Sequence, residues 1–134
     1  MRHFKYHIDL PPKPTPRPRL GKYGAYNKSD YTKYKNDMII LVKSLNIPRE
    51  DYCHLSARFL FPYPKKTSKK NRKEFAPIRN KCDLDNLVKG LMDVLEKTDV
   101  INNDRQFSSL FLEKRYTLRE RGSIEFELGH VVNK

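Results

Sequence analysis

A chain of 134 residues has room for one two-layer core and not for two. Twenty-eight lysines and arginines against sixteen acids leave a formal charge of +12, which makes a polyanion, nucleic acid first, the simplest partner. Two cysteines and four histidines set aside a disulfide framework and a structural zinc site, and the longest apolar run, Met38 to Val42, is far too short for a signal peptide or a membrane span. The expectation is a soluble, cytoplasmic protein with no membrane partner, since no helix pairs a basic face with exposed Phe or Leu.

Arg2 to Leu10 alternates Phe4, Tyr6, Ile8 and Leu10 with Lys5, His7 and Asp9, the period of a half-buried strand. His3 and His7 fall on that strand as ordinary residues. From Pro11 to Gly24 the chain is Pro-rich and basic, so it is extended and excluded from a central strand. It reads equally as a stiff connection or as a backbone presenting Arg17 and Arg19 to phosphates.

Between Lys28 and Leu45, the stripe Tyr31, Tyr34, Met38, Leu41, Val42 and Leu45 predicts a first helix, with Ser29 or Asp30 as cap and Asn46 and Pro48 as stop. His54 to Pro62 puts Leu55, Ala57, Phe59 and Phe61 on one side of a second strand. Tyr63 to Lys81 lacks apolar periodicity and reads as a long, mobile basic loop. It carries Lys65, Lys66, Lys69, Lys70, Arg72, Lys73, Arg79 and Lys81 against Glu74 alone. Such a run is often only a solvated surface. Here it leads into Asp83, so a nucleic-acid strand gripped by the loop is delivered to that carboxylate, with Phe75 placed to wedge against an unstacked base.

Residues 81 to 97 are the centre of the reading. Leu84, Leu87, Val88, Leu91 and Leu95 form an amphipathic stripe, while Asp85, Lys89 and Asp93 recur every fourth residue on another face. Asp83 precedes the stripe as an N-cap. Capping and a solvated helix face account for these aspartates on their own; the basic run before them and Asn102-Asn103-Asp104-Arg105-Gln106 after them favour a magnesium-dependent nuclease site. Beyond it, Val100 and Ile101 anchor a turn. Phe107, Leu110, Leu112 and Tyr116 predict a third strand to Leu118. Arg121-Gly122 turns into Ile124, Phe126, Leu128 and Val131, read as the second arm of a hairpin. The order β-α-β-α-β-β predicts a single α+β domain, a mixed sheet with two helices on one face.

Asp83-Leu84-Asp85-Asn86-Leu87 followed by Lys89, then Asn103-Asp104-Arg105-Gln106, with Pro-Arg-Pro-Arg-Leu and a Tyr- and Lys-rich first helix upstream, resembles the RusA family of Holliday-junction resolvases. The resemblance spans nearly the whole chain. It implies a homodimeric endonuclease, of bacterial or phage origin, that uses Mg²⁺, with Mn²⁺ as substitute, to cut four-way DNA junctions in recombination and repair. It assigns the essential acids to Asp83, Asp85 and Asp104 and the catalytic lysine to Lys89. Family members often carry Asp-Asp where this chain has Asn103-Asp104, and the lysine-rich loop replaces a compact arginine cluster. The residue types agree, because Mg²⁺ is a hard cation that takes oxygen ligands. The three carboxylates are expected to converge on one or two ions. Lys89, one turn beyond Asp85, either acts on the phosphoryl group or forms an ion pair with Asp85 or Asp93, and Asp93 is left out of the metal set. Two alternatives are a nuclease for flaps or forks and a non-enzymatic basic nucleic-acid-binding protein.

Overall fold

The computed structural model describes residues 2–16, 28–79 and 81–131. Elements follow in the expected order: β1 (Arg2–Ile8), α1 (Lys28–Ser44), β2 (His54–Pro62), α2 (Leu84–Lys97), β3 (Ser109–Thr117) and β4 (Ser123–His130). The α+β class and the mixed sheet are as predicted. Alternation places Leu55, Ala57, Phe59 and Phe61 in the core from β2. They join Leu87, Val88, Leu91, Val94 and Leu95 of α2 and Met38 and Val42 of α1 in one apolar cluster. The first helix begins at Lys28, ahead of Ser29 and Asp30, so Asp30 stands in its first turn. It ends just before Asn46, whose φ of 52° turns the chain away.

The predicted hairpin is not formed. The sheet order is β1-β4-β2-β3: β4 inserts between β1 and β2, antiparallel to both, while β3 lies at the edge, parallel to β2. Alternation in the last two strands fixes which residues face the core and says nothing about neighbours. The β2-α2-β3 crossover claims the inner edge of β3, so the chain must pass the end of β2 to reach β4. Gly122 marks that passage, because a Cβ there would stand 2.5 Å from the carbonyl oxygen of Leu60. It is a close-approach glycine rather than a hairpin glycine.

The two helices touch along one seam. On α2, Gly90 lets α1 approach, for a Cβ would fall 2.6 Å from the Tyr31 hydroxyl. Lys35 of α1 pairs with Asp93 of α2 across the same seam.

The basic loop is docked rather than loose. Phe75 N–H donates to Tyr116 O (2.8 Å), Tyr116 N–H to Ala76 O (2.9 Å) and Ile78 N–H to Lys114 O (3.4 Å), so residues 75–78 cover the outer edge of the second half of β3. Tyr63 stacks on Tyr116 with ring centroids 4.4 Å apart. Glu74, the one acid of the run, accepts from Leu118 N–H and Thr117 Oγ1 (2.6 and 3.1 Å).

Candidate active site

The crossover sets the geometry. Because β2 and β3 are parallel, α2 runs back between them, and its first turn lies at the end of the sheet where β2 and β3 finish. There Ile78 buries its side chain, Lys81 places its ammonium 4.7 Å from the centre of the Phe61 ring, and Lys114 Nζ donates to Cys82 O (2.9 Å). Lys81 holds a φ of 108°, a conformation disfavoured for any side chain, immediately before the acidic motif.

Asp83 occupies the N-cap position as expected, with φ −74° and ψ 142°, yet its side chain makes no capping hydrogen bond. Asp85 is exposed in the first turn. Both carboxylates therefore stand at the positive end of the helix dipole, beside the basic loop. One turn on, Lys89 is exposed, and among the described residues it forms no ion pair with Asp85 or Asp93; Asp93 is held by Lys35. The Pro-rich segment reaches the same place. Thr15 donates through its N–H (3.3 Å) and its hydroxyl (3.2 Å) to Asn86 O, two residues before Arg17. Arg17 and Arg19 themselves lie outside the described residues.

Asp104 stands elsewhere. Asn103 caps a short 3₁₀ turn, Asp104–Gln106, by accepting from Arg105 N–H (2.7 Å). That gives the first residue of the Asn103-Asp104 pair a structural role. Three contacts tie this turn to the far end of α2 and to the start of β2. Ile101 N–H donates to Leu95 O (3.3 Å), Gln106 Nε2 to Tyr52 O (3.0 Å) and Ser108 N–H to Cys53 O (2.8 Å). The 14 residues of α2 separate the two ends by about 20 Å. Within one chain, then, Asp83 and Asp85 share the N-terminal end of α2, and Asp104 stands by its other end. Among the described residues no group of three His, Cys, Asp or Glu side chains is close enough to hold a metal ion.

Of the predicted phosphate contacts, Lys65, Lys66, Lys69, Lys70, Lys73, Arg79 and Lys81 are exposed. Arg72 is used differently. Its guanidinium donates to the carbonyls of Thr67 (2.9 Å), Pro64 and Lys65 (both 3.3 Å) and lies over Tyr63. It folds the loop from which the lysines project. Phe75, proposed to wedge a base, is partly exposed at a φ of 65° with the Arg58 guanidinium 4.5 Å from its ring centre.

Sequence reasoning missed Thr15 and Lys114. Both act through backbone carbonyls, which every residue carries, so no residue-type pattern marks their partners.

Comparison with curated proteins finds no match. A family model described as Endodeoxyribonuclease RusA matches residues 9–127, taking in the basic loop, the acidic motif and Asp104, and the chain belongs to this family of endonucleases that resolve Holliday junctions.

Proposed function

We propose that this protein is a magnesium-dependent resolvase that cuts four-way DNA junctions by paired phosphodiester hydrolysis in recombination and repair, and that it works as a homodimer whose centres are each shared between two copies. The observation that carries the reading is the pair Asp83 and Asp85 on the first turn of α2, at the place where the basic loop and the Pro-rich segment both arrive. Carboxylate oxygens suit a hard cation, and the neighbouring Cys82 packs against the core. Asp83 and Asp85 of one copy and Asp104 of the other complete a three-carboxylate set, since ligands of one small ion lie about 2 Å from it and α2 is about ten times as long.

When bound, the metal, Mg²⁺ or Mn²⁺, supplies an activated water and charge neutralisation at the scissile phosphate. The residues of the chain do the rest. Lysines 65, 66, 69, 70 and 73, with Arg79, hold the phosphates through electrostatic contacts that weaken with salt. Lys89 stands about 6 Å along the helix from Asp85 and neutralises charge that builds on the phosphoryl oxygens. A two-fold protein matches the two-fold symmetry of a junction, so two strands are cut as a pair.

Subunit mixing tests this. Asp85→Asn and Asp104→Asn chains are each inactive on a labelled four-way junction with Mg²⁺. Mixed and re-associated, they form dimers with one intact centre, which nick one strand without making the paired cut. Mixtures that stay inactive, while wild type cuts, overturn the shared centre. Tight binding by wild type without cleavage under Mg²⁺ or Mn²⁺ overturns the nuclease reading, and faster cutting of flaps or forks replaces the junction as substrate.

A further inference from the structure

The two outer edges of the sheet are guarded unequally. Along β1, Arg2, His3, Lys5 and His7 alternate with the aromatic residues, and charge on an edge strand discourages pairing with another chain. On the other edge, residues 75–78 cover the second half of β3, from Lys114 onward. The first half, Ser109-Leu110-Phe111-Leu112, is uncharged and on that edge pairs with no other segment among the described residues, with Leu110 47% and Phe111 58% exposed in a chain that is 33% charged. Lys114 and Tyr116 direct their backbone groups to the outer edge, as their bonds to Ile78, Phe75 and Ala76 demonstrate. By the period of two, Leu110 and Leu112 direct theirs to the same edge.

We propose that this half-edge pairs with itself in a second copy of the chain, antiparallel about a two-fold axis at Phe111, joining two four-stranded sheets into one. The proposal rests on the shared centre above and names the surface that builds it. Leu110 and Leu112 of the two copies then exchange both backbone bonds, and the two Phe111 side chains face each other across a non-hydrogen-bonded pair. Two copies of so basic a protein meet here through a segment that carries no charge of its own.

The register makes the choice of occupant. An axis at residue 111 pairs 110 with 112 and sets 114 level with 108. Lys114, which holds Cys82 beside Asp83, thus lies level with Ser108 of the other copy, just past the turn that carries Asp104. Because β3 and β3 of the copy are antiparallel, the two α2 helices are too, and the acidic end of each faces the Asp104 end of the other. One pairing satisfies the open edge and unites the separated carboxylates.

The test is a symmetric disulfide. Phe111→Cys is placed where cross-strand Cβ atoms lie about 5 Å apart, close to disulfide geometry. Mild oxidation gives a covalent dimer whose 111–111 peptide is identified by mass spectrometry, while wild type treated alike gives none. Phe111→Glu, at an exposed position the fold tolerates, sets two carboxylates face to face and weakens the dimer at least about tenfold in sedimentation. A wild-type dimer with no 111–111 linkage and no response to Phe111→Glu overturns the edge pairing and leaves the resolvase reading standing. Cleavage by a monomer overturns the pairing and the shared centre together. A 111–111-linked dimer inactive on every branched substrate supports the pairing and sinks the resolvase reading.

Discussion

The two ends of α2 are finished in opposite ways. At its C-terminus the helix is closed by its own neighbouring residues. Thr98 donates its N–H (2.9 Å) and hydroxyl (2.8 Å) to Val94 O, Asp99 turns the chain at a φ of 61°, Val100 N–H closes on Leu95 O (2.9 Å), and Val100 and Ile101 are buried. At its N-terminus the cap side chain makes no capping bond and the preceding Lys81 is strained. The carbonyls on either side of the acidic pair, Cys82 O and Asn86 O, are gripped by Lys114 and Thr15 from distant parts of the chain. One end is closed by its own sequence for stability. The other is held from outside, by side chains that grip the backbone on either side of the acidic pair. Mutations at the first end should change melting, and mutations at the second should change cleavage.

The strongest break in that comparison comes at Asp85. Asp85→Asn is expected to reduce cleavage at saturating Mg²⁺ by at least about a hundredfold, because a carboxylate of the proposed metal set is lost at nearly constant volume. Junction affinity in a salt-matched shift assay should hold or rise, since one source of phosphate repulsion has gone. Being exposed, the change should move stability by no more than about 0.5 kcal/mol. Loss of folding in place of loss of cutting would move Asp85 to the structural side. Lys89→Met should likewise stop cleavage with an almost unchanged melting temperature, as no ion pair with Asp85 or Asp93 is there to be lost.

Much of this contrast was legible in the sequence, and the reason differs by element. The stripe of α2, the cap position of Asp83 and the alternation of β2 follow from periods that burial enforces, so they could be read directly. Strand order could not, because β4 carries the same alternation beside β2 as it would beside β3. The place of Asp104 was equally hidden: a spacing of about twenty residues permits return to the start of the helix or arrest at its end. Bonds at Leu95, Tyr52 and Cys53 decide for the second. Arg72 shows the limit for composition, since its charge matched its neighbours and only its carbonyl partners reveal it as a loop staple.

A smaller effect is expected at Lys114, which supports the acidic end without belonging to the proposed carboxylate set. Lys114→Met frees Cys82 O and loosens the segment entering Asp83. By analogy with other residues that orient metal ligands, the Mg²⁺ concentration for half-maximal cleavage should rise about tenfold, with less change in the rate at saturation. Lys114→Arg, which keeps a donor, should recover part of the loss. At the opposite end, Thr98→Val removes the hydroxyl bonds at nearly constant shape and should lower stability by about 1 kcal/mol with no change in cleavage rate per folded molecule. Chemical denaturation and single-turnover assays together separate the two ends.

The smallest effect should appear on the outer face of the sheet, away from both ends, and it tests whether the contrast is specific to them. Burial would raise the Glu113 carboxyl, but hydrogen bonds and charge from Arg115 and Arg58 outweigh it and hold it below the usual range. A carboxyl depressed by folding contributes stability that is complete above its unfolded value, near pH 4.5, and is lost as pH falls through its folded value. Glu113→Gln should therefore lower the melting temperature at pH 7 and converge on wild type as acid takes the pH below the depressed folded value. Cleavage at pH 7 and 25 °C should be unaffected, for Glu113 reaches neither carboxylate pair nor basic loop lysines. A change in cleavage without a change in melting would mean that this face communicates with the acidic end of α2, and the division between its two ends would no longer be sufficient to sort the chain by role.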